Sequence, residues 1–311
     1  MDPLIIEHIA KNFGQTVAVR DVSFRVGAGG IFALLGPNGA GKTTTIRMAL
    51  DIFQPDRGTI RLFGGPPGAQ ARDRIGYLPE ERGLYRNLNL VECLVYLAGL
   101  KGLPPNETRR RLDAWLERFD LAAHTNKQVN DLSRGMQQKA QFIAALIHEP
   151  ELLIVDEPFA ALDPVNTRLI KEVMREWAAQ GRTVIMSTHQ MHLVEELAER
   201  MVMINRGEVV LYGTVAEVRQ QFAAHAMLIR GQGQFGPLPG VVAVEPQHEP
   251  GHYLLRLDEQ TTPQQVLRAL MDQAAYTIEH FAVALPSLDE IFVRVVAGEQ
   301  GQAQNQEEVL A

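Results

Sequence analysis

One string, GPNGAGKTT at Gly36–Thr44, constrains the fold of this 311-residue chain more than any other. It fits the pattern GxxxxGK[ST] in full and stands between an unalternating apolar run, Ile31–Leu35, and a helical run, KTTTIRMAL. An apolar run that does not alternate belongs to a strand buried on both faces, the condition of a parallel sheet sandwiched by helices. A glycine-rich turn from such a strand into a helix lets successive backbone N–H groups face inward, and the helix adds the positive end of its dipole. The string therefore predicts a phosphate-binding loop made by Gly36, Pro37, Asn38, Gly39, Ala40, Gly41, Lys42, Thr43 and Thr44. Lys42 would meet the β- and γ-phosphates of a nucleotide, and the Thr43 hydroxyl would ligate Mg²⁺.

Two further buried runs, LLIVDE at 152–157 and TVIMST at 183–188, flank a helical stretch. That stretch has Asp163 as N-cap, Pro164 in the first turn, Gly181 as stop, and an apolar stripe of Val165, Leu169, Val173 and Trp177, which together make a βαβ unit. A parallel sheet delivers strand-end side chains to a ligand crevice. Asp156 at such an end suits Mg²⁺, directly or through water, and Glu157 suits the orientation and polarisation of an attacking water. His189 ends the third run, where it either senses the γ-phosphate by a hydrogen bond or serves structure alone.

Composition limits the class. With 46% hydrophobic, 22% charged and 6% aromatic residues and a net charge of −7, the chain is globular, with no broad basic face for nucleic acid. A single cysteine, Cys93, forms no intrachain disulfide and reads as a buried small hydrophobe, and the nine histidines show no metal-ligand spacing. No apolar stretch approaches the ~20 residues that a membrane crossing needs, and MDPLIIEHIAK is not a signal peptide.

Residues 4–35 read as strand, turn, strand, and 88–131 as a helical insertion whose Arg109, Arg110 and Arg111 line a solvated face. Near residue 223 the texture shifts to Gly, Pro and Gln between four strand-like runs and two helical ones, which indicates a small α+β domain. The stretch EQGQAQNQEEVLA, 299–311, has too few apolar residues to pack and is expected to be disordered.

A second anion-binding helix start follows from LSRGM at Leu132–Met136, with Ser133 as N-cap. One phosphate loop alone does not account for it. Together with LLIVDEP, FAALDP and STH in this order, the set resembles the signature of ABC-type ATPases over residues 1 to about 222. The resemblance implies a P-loop NTPase fold of class α/β. It would comprise a mixed-sheet core, an antiparallel β subdomain and a helical subdomain at about 88–148, followed by an accessory α+β domain at 223–298. It implies Phe13 in KNFG as the adenine-stacking aromatic, against its reading as a core residue. It also implies Ser133, Gly135 and Asp163 as groups that meet ATP held by a second subunit. The active unit would then be an ATP-dependent homodimer or heterodimer. Arg134 stands where many members have glycine, and Glu80 in GYLPEERGLY stands where the family usually has a glutamine that senses Mg²⁺ and signals to the membrane subunit; its carboxylate can supply an oxygen ligand to Mg²⁺ but adds negative charge beside the phosphates. GYLPEERGLY and PSLDEIF, Pro286–Phe292, resemble bacterial drug- and sodium-exporter ATPases, although PSLDEIF also reads as a simple capped packing helix.

These resemblances imply an ATP-hydrolysing subunit, with ATP and Mg²⁺ as cofactors, that drives a separate membrane permease in export. It would sit in the cytoplasm against the inner face of the cell membrane, and no nucleic-acid partner is expected. Two alternatives stand beside this reading. One is a non-transport ABC ATPase acting on nucleic acid or ribosomes, whose usual coiled coil, zinc hook or tandem cassette is not seen here. The other is a P-loop kinase, which explains GPNGAGKTT but not LSRGM.

Overall fold

The computed structural model describes residues 1–81, 83–160, 162–223, 226–233, 238–247, 249–258, 260–272 and 276–295, so the stretch 299–311 lies outside the described residues. The chain divides into two compact units, Met1–Val215 and a second that begins at Ala216.

The first unit opens with β1 (Leu4–Phe13), β2 (Thr16–Val26), β3 (Gly30–Leu35) and α1 (Lys42–Ala49). Then come β4 (Arg57–Leu62), α2 (Ala69–Asp73), β5 (Ile75–Leu78), and the helices α3 (Leu90–Gly99), α4 (Pro105–Arg118) and α5 (Arg134–Leu146). It closes with β6 (Leu152–Asp156), α6 (Pro164–Ala179), β7 (Thr183–Thr188), α7 (Met191–Leu197), β8 (Arg200–Asn205) and β9 (Glu208–Thr214). The strands form one sheet in the order β4-β1-β2-β9-β8-β3-β7-β6-β5. β8, β3, β7, β6 and β5 are mutually parallel, and β6 and β7 are buried along their whole length. β1 with β2 and β1 with β4 are antiparallel and half-exposed, as their alternating sequences require.

Register is what builds a site. Leu35 pairs with Thr188, Asp156 with Ser187, and Leu78 with Val155, so β3, β7, β6 and β5 end at one edge. The segments that follow these strands, at residues 36, 157, 189 and 79, therefore emerge side by side.

Two expectations about helix faces are corrected. Val165 is 78% exposed, and the buried stripe of α6 is Ile170, Val173, Met174 and Trp177. Val165 lies in the first turn, outside the stripe that the sheet covers. Arg111 does not line solvent with exposed Arg109 and Arg110: its guanidinium pairs with Glu107 at 2.5 Å and donates to Ile147 O at 3.1 Å, closing the C-terminal end of α5. α5 itself lies close on β5, since a Cβ at Gly76 would sit 2.1 Å from Ala145 O.

The second unit contains most of α8 (Val215–Gln221), then β10 (Ala226–Gly233), β11 (Val241–Pro246), β12 (His252–Leu257), α9 (Pro263–Met271), β13 (Tyr276–Val283) and a helix over 288–295. Its antiparallel sheet runs β11-β12-β10-β13 over a core that includes Met227, Ile229, Leu255, Val266 and Leu270. The unit begins ahead of the 222/223 boundary read from the sequence because Arg219 on α8 donates to Pro286 O at 2.9 Å. PSLDEIF has a structural account: Ser287 and Glu290 cap each other's backbone N–H, and Leu288 and Ile291 are fully buried.

Candidate nucleotide-binding site

A cavity of about 500 Å³ opens at the shared strand edge, lined by Asn38–Thr44, by Thr16, Val17 and Ala18 of β2, and by Glu80, Asp156 and Glu157. The loop geometry demands its glycines. Gly36 has φ +151°, and a Cβ there would lie 2.1 Å from Ile204 O; Gly41 has φ +106°, and a Cβ would lie 2.7 Å from Ala18 O. The turn after β8 braces the loop from behind, as Gly207 N–H donates to Ala40 O at 2.9 Å. No side chain caps the N-terminus of α1, whose first turn carries no acidic residue, so its positive end is available to an anion.

The Lys42 ammonium is buried and donates to the loop's own carbonyls, Gly36 O at 2.8 Å and Pro37 O at 3.2 Å. Burial lowers its pKa, opposed by the charges of Glu157, Asp156 and Glu80. Thr43 Oγ1 donates to Asp156 Oδ2 at 3.0 Å, while Asp156 Oδ1 is buried without a hydrogen bond. Burial raises the Asp156 pKa, with Ser187 and Thr43 favouring the charged form. A hydroxyl and a carboxylate with one oxygen unbonded are hard donors of the kind Mg²⁺ takes.

Glu157 is held on several sides. Its Oε1 accepts from His189 N at 3.1 Å and faces His189 Nδ1 at 2.8 Å, and its Oε2 accepts from Thr188 Oγ1 at 3.3 Å. Its backbone has φ +49°, a left-handed conformation that costs a residue with a Cβ roughly 1–2 kcal/mol. With the ring proton on Nδ1 committed to the carboxylate, His189 donates to a phosphate only if Nε2 is protonated as well.

The sequence relates this geometry to known proteins. Residues 19–160 match the ABC transporter family, and residues 213–296 match the C-terminal domain of DrrA1-3-like ATP-binding proteins. The chain is 38% identical over 294 residues to the ABC transporter ATP-binding protein YhaQ of Bacillus subtilis (strain 168), covering 94% of this chain and 98% of the relative. The chain belongs to the ABC transporter ATP-binding proteins. A Nod factor export ATP-binding protein I of Paraburkholderia xenovorans is 37% identical over 67% of this chain and 69% of its own. A solved ATP-binding subunit of an ABC transporter superposes with a TM-score of 0.67 at 34% identity, covering 70% of this chain and 92% of that one. This ABC ATPase binds and hydrolyses ATP.

Not every residue singled out in the sequence of this ABC ATPase lies at its cavity. Phe13 ends β1 half-exposed, edge-on to Phe53 with ring centroids 5.4 Å apart, neither in the core nor among the residues lining the cavity. Ser133 caps α5, its Oγ accepting from Met136 N at 3.3 Å, and Asp163 caps α6 through Val165 N and Asn166 N, both at 2.9 Å. Neither they nor Gly135 lines the cavity of their own chain. Gly135 lies beside the residue that precedes Asp163, for a Cβ there would be 3.9 Å from Leu162 Cδ2. Arg134 is exposed on helical backbone.

Sequence reasoning missed Thr188, Val17 and Tyr77. Thr188 closes the β7 run, and Val17 is an exposed apolar residue in an alternating strand, so both carried a faint signal. Tyr77, half-buried beside Asp156, has its pKa pushed up to about 12, chiefly by burial. It also lines a second, apolar groove of about 300 Å³ with Pro79, Leu84, Leu97, Leu100 and His148. Leu100 is 60% exposed there, and burial brings the His148 pKa down to about 4, so its ring is neutral at physiological pH. Consecutive residues thus border both sites, Pro79 the groove and Glu80 the nucleotide cavity.

Proposed function

We propose that this chain is the Mg-ATP-hydrolysing subunit of an exporter and drives a separate membrane permease. The supporting observation is the convergence of Lys42, Thr43, Asp156 and Glu157 on one cavity. Thr43 and Asp156 would hold Mg²⁺ beside Glu80, and the bound ion would neutralise charge on the β- and γ-phosphates. Glu157, fixed by Thr188 and His189, orients water for attack and accepts its proton. Ser133, Gly135 and Asp163 address the nucleotide of a second copy or a related ATPase. Export follows the Nod factor relative and the exporter-like GYLPEERGLY. None of the relatives reported above supports action on nucleic acid or ribosomes.

No helix among the described residues is long and apolar enough to cross a membrane, which calls for a permease on another chain. The groove beside Leu100 would seat it, because Tyr77 and Pro79 line the groove while Glu80, next in the chain, lines the cavity. Leu100→Asp should weaken association with the membrane fraction about tenfold by unbalancing an apolar contact, while ATP affinity stays at the wild-type value. Membrane fractionation paired with calorimetric ATP titration checks this, and loss of ATP binding in the variant would refute the separation of the two sites.

Lys42→Ala tests the cavity itself. Removing the ammonium from the phosphate loop should reduce Mg-ATP affinity by about tenfold or more, along with turnover. An unchanged affinity by equilibrium titration would remove Lys42 from phosphate binding.

A further inference from the structure

The residues lining the nucleotide cavity carry Glu80, Asp156 and Glu157 against one cation, Lys42. Their situations differ. Asp156 is buried and bonded to Thr43, and Glu157 is buried and bonded to Thr188 and His189, so both are fixed in place. Glu80 is exposed, and no described residue forms a hydrogen bond or ion pair with its carboxylate. Its charge nevertheless reaches into the site, where it acts on both Lys42 and Tyr77. Lys42, the one cation among the lining residues, faces all three of these carboxylates and so offsets only part of their charge.

We propose that Glu80 makes nucleotide binding conditional on the divalent cation, so that ATP carrying its metal is accepted and metal-free ATP is refused. This rests on the reading of the cavity as a Mg-ATP site and adds a discriminating role for one residue in its wall. The reasoning is one of charge. A metal-free triphosphate brings about four negative charges to a wall that already holds an excess of carboxylates, and each like charge lowers its affinity. The metal complex brings about half that charge together with a cation that an exposed, unpaired carboxylate attracts. A neutral amide at position 80 removes both effects, weakening the refusal and the preference alike. Single like charges about 7 Å apart change a binding constant roughly threefold at a dielectric constant of 80 and roughly fiftyfold at 20. The exposure of Glu80 sets its effect toward the lower part of that range.

The test is calorimetric titration of the full chain with a non-hydrolysable ATP analogue, once in excess EDTA and once in excess Mg²⁺, for wild type, Glu80→Gln and Glu80→Asp. The readout is the ratio of the dissociation constants without and with metal, so hydrolysis does not enter. Glu80→Gln should reduce this ratio about five- to tenfold, mostly through tighter binding in EDTA, and Glu80→Asp should restore most of it. An unchanged ratio in Glu80→Gln would overturn the proposal while leaving the Mg-ATP site intact. Equal weakening under both conditions would overturn it too, by reducing Glu80 to an ordinary contact. Failure of the wild-type chain to bind the analogue even with Mg²⁺ would instead overturn the site reading on which the proposal stands. Thermal unfolding of each variant, expected at the wild-type temperature for an exposed position, guards against a folding defect.

Discussion

Glu157→Gln should slow ATP hydrolysis by about 10² or more while leaving nucleotide affinity nearly unchanged. The amide keeps the shape of the side chain: its oxygen, in the place of Oε1, can accept from His189, and its NH2, in the place of Oε2, can donate to Thr188 Oγ1, so the strand end should hold its form. What it loses is the ability to take a proton from water. ATP that binds but is not cleaved should then keep two chains together, so light scattering should report an ATP-dependent dimer in the variant. Wild-type turnover with no such dimer would remove Glu157 from the catalytic role.

The second large effect concerns action between chains. Ser133→Arg should bind ATP as the wild type does, because Ser133 does not line its own chain's cavity, yet turnover should fall by about 10² or more. If Ser133 addresses the nucleotide of a facing chain, as proposed, the bulky side chain at the start of α5 would obstruct closure over it. Mixing Ser133→Arg with Lys42→Ala places both lesions on one composite site of the heterodimer and leaves the other with an intact Lys42 and an intact Ser133. Activity should return in the mixture wherever one competent site suffices for turnover. Because strict coupling between sites would suppress that rescue, the deciding measurement is a crosslink in the Glu157→Gln protein with ATP bound. Ser133 must be found near the γ-phosphate held by the other chain's Lys42, and its capture beside its own chain's nucleotide would reject the composite site.

Much of the nucleotide cavity was legible because its residues sit in short, local strings. GPNGAGKTT needs only its flanking strand and helix to become a loop, and LLIVDE ends where the sheet ends. Helix faces were harder. Val165 continues the 3.6-residue spacing of Val173 and Trp177 but lies beyond what the sheet covers, and coverage is a property of the partner, not of the helix. Arg111 looked like its two neighbours until the end of α5 came within its reach. The left-handed backbone of Glu157 and the unbonded Asp156 Oδ1 left no trace in the sequence, since both follow from how β6 and β7 meet. The same holds for the groove beside Leu100, which gathers residues from β5, α3 and α5.

The hydrogen bonds from Lys42 to Gly36 O and Pro37 O mean that the protein carries a built-in competitor for its own lysine. The ammonium has three donors, so an arriving phosphate would take the third or displace one of these carbonyls, and each displaced contact would subtract from the affinity measured. The same two contacts offset part of the hydration that the ammonium loses on burial, a cost that a buried and unpaired cation would bear in full. The rise in melting temperature on saturation with nucleotide should accordingly be modest for the number of phosphate contacts formed, since it follows the net affinity and not their sum.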